Sequence, residues 1–304
     1  TAMGWKFGPV RARLSGDVGD RDALFSMLDV LDRRHGQATG MFTCDEHVAG
    51  RSPSQGTELC TVVEAMYSLE AAVAILGDAR LGDRLERIAY NALPATFKKD
   101  MTAHQYDQQV NQVLCVREGE HPYATNGPDS NLFGLEPNFG CCTANFHQGW
   151  PKLATNLWMK TPGGGLAVVA YAPCVVETQI QGKPVRLEVK TEYPFRDVVE
   201  IAVTVPEPMR FPLELRSPGW SPALSIAASE VPFALGGRRS RVDDAAVLKG
   251  DERTASYRTL DAEWSGTTSI RLELPAVAQA YRGFNGSTAI VRGPLVFALP
   301  IAAE

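Results

Sequence analysis

The chain has 304 residues, 44% hydrophobic and 21% charged, a composition that excludes disorder, collagen and coiled coil. Lysine and arginine total 30 against 35 aspartates and glutamates, a net charge of −5, so no basic excess exists to replace phosphate counterions on a nucleic acid. No run of about 18 apolar residues is present to span a membrane, and Thr1–Val10 lacks the basic start and apolar core of a signal peptide.

In chain order, Asp20–Leu31 reads as a helix and Gly36–Gly56 as a long loop rich in turn residues. Leu59, Val62, Val63, Met66, Leu69, Val73 and Leu76 fall at i, i+3, i+4 spacing and predict an amphipathic helix within Thr57–Leu76. Leu81–Phe97 reads as a third helix. Glu118–Gly140 forms a second long loop, and loops above about 15 residues in a compact protein are usually functional. Ala144–Met159 reads as a fourth helix, kinked or started at Pro151. After Pro162-Gly163-Gly164-Gly165 the apolar period becomes two, as in Leu166, Val168, Ala170 and Val185, Leu187, Val189. Val199, Ile201, Val203 and Ile270, Leu272, Leu274 continue it, the pattern of an antiparallel β-sandwich. The expected organisation is α+β and multidomain, a helical portion over 1–161 and a β-sandwich over 162–304.

Five of the six cysteines precede residue 143 and none follows 174, which suits a site better than a disulfide framework. Glu58-Leu59-Cys60 and the pair Cys141-Cys142 together offer one carboxylate and three thiols, the donor set of a tetrahedral zinc site. Residues i and i+2 of a helix point about 200° apart, so either Glu58 precedes the first turn or the metal lies off the helix end. Adjacent cysteines need a bent backbone to share a ligand, and Gly140 permits one. The alternatives are a small core cysteine at 60 and a redox disulfide at 141–142.

Asp45-Glu46-His47 sets two acids beside an imidazole in the loop ahead of that helix, either a functional triplet or a solvated acidic turn. His104-Gln105-Tyr106-Asp107-Gln108-Gln109 is dense in hydrogen-bonding side chains, as in a pocket that reads sugar hydroxyls or in an exposed polar strand. Trp150, Trp158, Trp220 and Trp264 read as core.

The phrases Asp45-Glu46-His47, Ser54-Gln55-Gly56-Thr57-Glu58-Leu59-Cys60, Ala89-Tyr90-Asn91-Ala92-Leu93, Gly140-Cys141-Cys142-Thr143-Ala144-Asn145 and Arg292-Gly293-Pro294-Leu295 run through most of the chain. In them the sequence resembles the β-L-arabinofuranosidase-type glycoside hydrolases, family 127 and its relatives. The resemblance implies the later half of a six-fold barrel of paired helices, an (α/α) barrel, followed by β-sandwich domains. It also implies a zinc ion held by Glu58, Cys60, Cys141 and Cys142, with Cys141 the nucleophile and Glu46 the acid/base. His104 or Tyr106 would contact the sugar.

Carried to this chain, the resemblance implies a retaining glycosidase whose partner is a carbohydrate, with neither nucleic acid nor membrane involved. A non-catalytic carbohydrate-binding or scaffolding fragment with a structural zinc is the second reading, and a thiol redox protein the third. Family members are about twice this length and this chain starts at Thr1, so the expectation is a fragment that has lost upstream sequence. Its stripe from Leu59 to Leu76 would then lack partners on one side, and the chain would self-associate or bind its missing half. Free thiols favour the cytoplasm, with an exported precursor as the alternative.

Overall fold

The structure, a computed structural model, describes residues 2–112, 115, 127, 129–134, 139–228, 233–235, 238–240, 246–249 and 255–300. Most of the expected loop at 118–140 lies outside the described residues. The fold is mixed α+β with several sheets, and it divides into two compact units. One comprises Thr1–Gly77, Arg84–Leu153 and Ala278–Glu304, the other Asp78–Asp83 and Ala154–Val277.

The first unit is built on α1 (Phe7–Ser15), α2 (Val18–His35) and α3 (Leu59–Leu76). It also holds the last turn of α4 (Ala79–Arg87), α5 (Gly140–Phe146) and most of α6 (Gly149–Thr155). Asp17 caps α2 by accepting the Gly19 N–H at 2.8 Å, and Arg33, Arg34 and His35 complement the dipole in its last turn. Those end signals make the helix longer than the apolar pattern alone predicts. Gly77 ends α3 in the left-handed conformation, its N–H returned to the Val73 carbonyl.

Two helices differ from expectation. The span Leu81–Phe97 is regular only to Arg87, then widens into a π-turn over Ile88–Ala92 and tightens at Pro94–Thr96. Pro94 has no N–H to continue the ladder. The span Ala144–Met159 is not one helix but α5, then α6, then a strand from Trp158. A continuous helix would need Pro151 to donate to His147, and proline cannot.

The stripe on α3 is covered, contrary to the expectation that it lacks partners: Leu59, Val62, Val63, Met66, Leu69 and Val73 are all buried. This helix is 18 residues long with a hydropathy of 1.7, enough by length and composition to cross a membrane, yet 61% of it is buried within the protein. The uncovered apolar face lies on the N-terminal segment instead. Met3, Phe7, Val10 and Leu14, at helical spacing, are 62%, 66%, 46% and 87% exposed.

The strand Gly56–Glu58 (β1) pairs antiparallel with Asp107–Gln109 (β2), setting Glu58 opposite Asp107. A Cβ on Gly56 would collide with the Asp107 carboxylate, so this close approach requires glycine.

The second unit contains β3 (Trp158–Lys160), β4 (Leu166–Val168), β5 (Cys174–Ile180), β6 (Lys183–Thr191) and β7 (Val198–Ser217). It continues with β8 (Ala223–Ala228), β9 (Phe233–Leu235), β10 (Arg238–Ser240), β11 (Ala246–Lys249) and β12 (Ser256–Glu273). Their order is β10-β9-β12-β7-β4-β3, with β5-β6 joined to β7 and β11-β8 joined to β12. All pairs are antiparallel except β4 with β7. Val199, Ile201, Val203 and Val205 turn inward along β7 while their neighbours are more exposed, as period two requires. A register shift between Trp264 and Gly266 bends β12. Buried Arg216 donates to the Val169 carbonyl at 2.8 Å and pairs with Asp83, which also accepts the Gly219 N–H at 2.7 Å.

A three-stranded sheet of β13 (Ala278–Arg282), β14 (Thr288–Arg292) and β15 (Leu295–Phe297) counts with the first unit. Asn91 clasps it, donating to the Pro294 carbonyl at 2.8 Å and accepting the Val296 N–H at 2.7 Å.

Candidate metal centre

Two element starts make the site. Glu58 is the last residue of β1 and the N-cap of α3, with extended backbone, so its carboxylate leaves ahead of the first helical turn. That resolves the 58/60 geometry in favour of the first alternative, with Cys60 inside the turn. Cys141 and Cys142 lie not in a bent loop but in the first turn of α5, where adjacent side chains diverge by about 100°. Cys141 is exposed and Cys142 buried.

The ligand atoms of Glu58, Cys60, Cys141 and Cys142 all lie within 4.8 Å of one another. Cys60 Sγ is 3.5 Å from Cys142 Sγ, Cys141 Sγ is 3.9 Å from Cys142 Sγ, and Cys141 Sγ is 3.7 Å from Glu58 Oε1. Four donors at about 2.3 Å from a tetrahedral ion stand about 3.8 Å apart, so this spacing fits a metal ion. It does not fit a disulfide, whose sulfurs are about 2.05 Å apart, and Cys141 and Cys142 are both free.

Without a cation the site is electrostatically frustrated. The Cys60 thiol is pushed far up by its hydrogen bond with Cys142 and by burial. Burial first, then the Cys60 hydrogen bond and charge and the Glu58 charge, push Cys141 up to about 11, against a lowering hydrogen bond from Cys142. Three thiols and a carboxylate this close cannot all ionise together unless a positive ion shares the space. The donor set and its spacing therefore suit a divalent ion.

Beside the cluster, the triplet divides. Asp45 is buried, whereas Glu46 and His47 are exposed, which rules out a uniformly solvated turn. Glu46 has φ of 92°, a left-handed conformation that costs a non-glycine residue strain and clusters at functional positions. Tyr106 donates its hydroxyl to Glu46 Oε1 at 3.1 Å. The Tyr106 ring is fully buried and stacks on Phe139, two residues before Cys141, with centroids 3.9 Å apart. Burial first, then the charges of Glu58 and Glu46, keep that phenol strongly protonated. His104 is buried, its Nε2 lies 3.0 Å from Thr143 Oγ1, and its ring stacks on Phe146.

The polar stretch is not an exposed strand. His104 through Gln109 are all buried. Gln105 donates to the Ala95 carbonyl, Gln108 to Ala92 and Gln109 to Ser54, at 3.0, 2.6 and 2.8 Å. Gln105 and Gln108 satisfy main-chain carbonyls of the irregular turn that a regular helix would have satisfied itself, and Gln109 ties the loop ahead of β1. Of the tryptophans, Trp158 and Trp264 are buried, and Trp150 and Trp220 are half-buried.

Sequence reading missed Asn145, whose Nδ2 donates to Cys60 Sγ at 3.1 Å. The available signal was its place four residues after Cys141, one helical turn along the same face.

Part of the chain matches a known family, and its fold matches solved structures. Residues 165–276 match the profile of the β-L-arabinofuranosidase GH127 middle domain. Among solved structures, a GH127 β-L-arabinofuranosidase from Geobacillus stearothermophilus T6 matches with a TM-score of 0.71 and 17% identity, over 96% of this chain and 45% of that one. A structure described as a glycoside hydrolase matches at TM-score 0.75 and 16% identity, over 96% of this chain and 50% of that one. The GH127 β-arabinofuranosidase BT3674 matches at TM-score 0.64 and 18% identity, over 96% and 46%. None of the curated proteins matches. The chain thus resembles the GH127 glycoside hydrolases, shares their fold, and spans about half the length of these structures.

Proposed function

We propose that this chain carries the catalytic centre of a retaining glycoside hydrolase acting on β-L-arabinofuranosides or a similar sugar. The observation that carries this reading is the packing of Glu58, Cys60, Cys141 and Cys142 at tetrahedral spacing, with Glu46 bonded to Tyr106, whose ring stacks on Phe139 just before Cys141. In this reading the first unit is the later half of a six-fold (α/α) barrel, and the second is the β-sandwich domain.

Zinc is the ion of choice, because three soft thiolates and one carboxylate select it over hard cations. When bound, it supplies the positive charge that holds Cys141 as thiolate at neutral pH. Cys141, the exposed thiol of the three, attacks the anomeric carbon as the glycosidic C–O bond breaks. Glu46 gives its proton to the leaving oxygen and then removes one from the water that displaces the sugar from sulfur. Tyr106, bonded to Glu46 and stacked on the segment leading into Cys141, holds the acid/base against the nucleophile and borders the sugar, as does His104.

Release of sugar from an aryl β-L-arabinofuranoside by the reduced, zinc-loaded chain tests the reading. A second reading, a non-catalytic carbohydrate-binding or scaffolding fragment with a structural zinc, draws on the chain's spanning only about half of its solved neighbours. Zinc binding without sugar release would select it. The exposed stripe of Met3, Phe7, Val10 and Leu14 supports self-association or docking on further polypeptide. Sedimentation showing only a compact monomer would contradict that part of the reading.

A further inference from the structure

The three thiols of the cluster are not equivalent, and the difference lies in their hydrogen bonding as well as their exposure. Asn145 stands one turn after Cys141 in α5 and donates Nδ2–H to Cys60 Sγ at 3.1 Å. Its other amide atom is committed, because Gln148 Nε2 donates to Asn145 Oδ1 at 3.1 Å. Gln148 in turn is anchored by donating to the Ala144 carbonyl at 3.0 Å. This chain of bonds fixes which way the amide faces, since an amide oxygen cannot serve Cys60 while it accepts from Gln148. Cys141 Sγ faces only Glu58 and the other two thiols, with no nitrogen donor among the described residues.

An N–H pointed at a thiolate draws charge from the sulfur. It weakens that sulfur as a nucleophile and leaves it a well-oriented ligand. We propose that Asn145, held by Gln148, is a positioning residue that fixes Cys60 as a permanent metal ligand and leaves Cys141 as the sulfur open to the sugar. The proposal rests on reading the four-residue cluster as a metal centre. It adds to that reading a cause for the division of labour among chemically identical side chains.

Cobalt(II) is the probe, because its thiolate-to-metal charge-transfer absorption reports the electron density on sulfur without any turnover. The reduced full chain and its Asn145→Leu, Asn145→Gln and Gln148→Leu variants are titrated with cobalt. Each is then alkylated with limiting iodoacetamide, and the labelled cysteines are mapped. Asn145→Leu keeps the side-chain size and removes the donor. It should move the absorption to lower energy and raise the share of label on Cys60 by about 5-fold, the rate equivalent of one lost hydrogen bond. Gln148→Leu should do the same to a smaller degree, and it carries the test if Asn145→Leu fails to fold. Asn145→Gln retains an N–H and should restore part of both signals. Normal cobalt stoichiometry with unchanged absorption and labelling in both leucine variants would overturn this proposal alone. A wild-type chain that binds no cobalt would overturn the metal-centre reading and the proposal with it.

Discussion

Along β7 in the second unit, Val199, Ile201, Val203 and Val205 face inward in strict alternation, and the strand pairs with β12 for most of its length. In the first unit the short strand Asp107–Gln109 is buried through an aspartate and two glutamines, and its partner strand has only three residues. One region is held by apolar area on a repetitive ladder. The other is held by individual polar bonds to irregular backbone, such as Gln108 to Ala92. The contrast teaches where chemistry can be placed. A regular sheet satisfies its own backbone and offers few convergent functional groups, whereas irregular turns must be tied by side chains that also fix a site to within fractions of an ångström.

The largest expected effect breaks the comparison on the first unit's side. Cys141→Ser should reduce sugar release to background, a loss on the order of 10³-fold or more, because it removes the proposed nucleophile. Glu46→Gln should follow with about 10²- to 10⁴-fold, the range for losing a general acid/base. Near-normal turnover by Cys141→Ser would remove the thiolate mechanism, and near-normal turnover by Glu46→Gln would move the acid/base role to another group. The Glu46 change should not lower the unfolding temperature by much, since that side chain is exposed and outside the ligand set.

The reverse case belongs to the second unit. Trp264 is buried against Phe211 and donates Nε1–H to its carbonyl at 2.9 Å. Trp264→Ala should cost about 3–5 kcal/mol of stability through cavity and lost contacts. Denaturant unfolding should show this while metal stoichiometry at low denaturant stays unchanged. Coupled loss of metal would show that the two regions do not divide stability and chemistry as described.

A pH dependence belongs to the first unit. Glu70 is buried on α3, and desolvation raises its pKa from 4.5 to about 8 against the nearby Lys152 charge. The folded protein therefore holds a proton that the unfolded chain has released between those values. Stability should fall as pH rises from about 4.5 to about 8 and level off beyond, by linkage. Glu70→Gln should flatten that slope in thermal melts, and an unchanged slope would place the titration elsewhere.

These contrasts also explain what the sequence disclosed. Period two is a direct consequence of strand geometry, so the alternating segments from Leu166 onward were readable without neighbours. The α3 stripe was readable for the same reason, and its coverage was not, because burial depends on what packs against it. The four cluster residues could be named because their donor chemistry is unusual together, although their convergence, Cys60 on Cys142 across 82 positions, exists only in the fold. The helix breaks at Pro94 and Pro151 had visible causes. The burial of Gln105, Gln108 and Gln109 did not, since a polar side chain and a carbonyl far along the chain meet only in the folded state. Asn145 was visible only as a place one turn after Cys141, being ordinary in type and significant through the sulfur it faces.

The central claim is that Glu58, Cys60, Cys141 and Cys142 form one zinc centre. Zinc-edge X-ray absorption on the reduced, folded chain tests it most directly. The account predicts one zinc per chain with three sulfurs at about 2.3 Å and one oxygen at about 2.0–2.2 Å. No zinc in folded protein, or a zinc shell of nitrogen and oxygen alone, would contradict it.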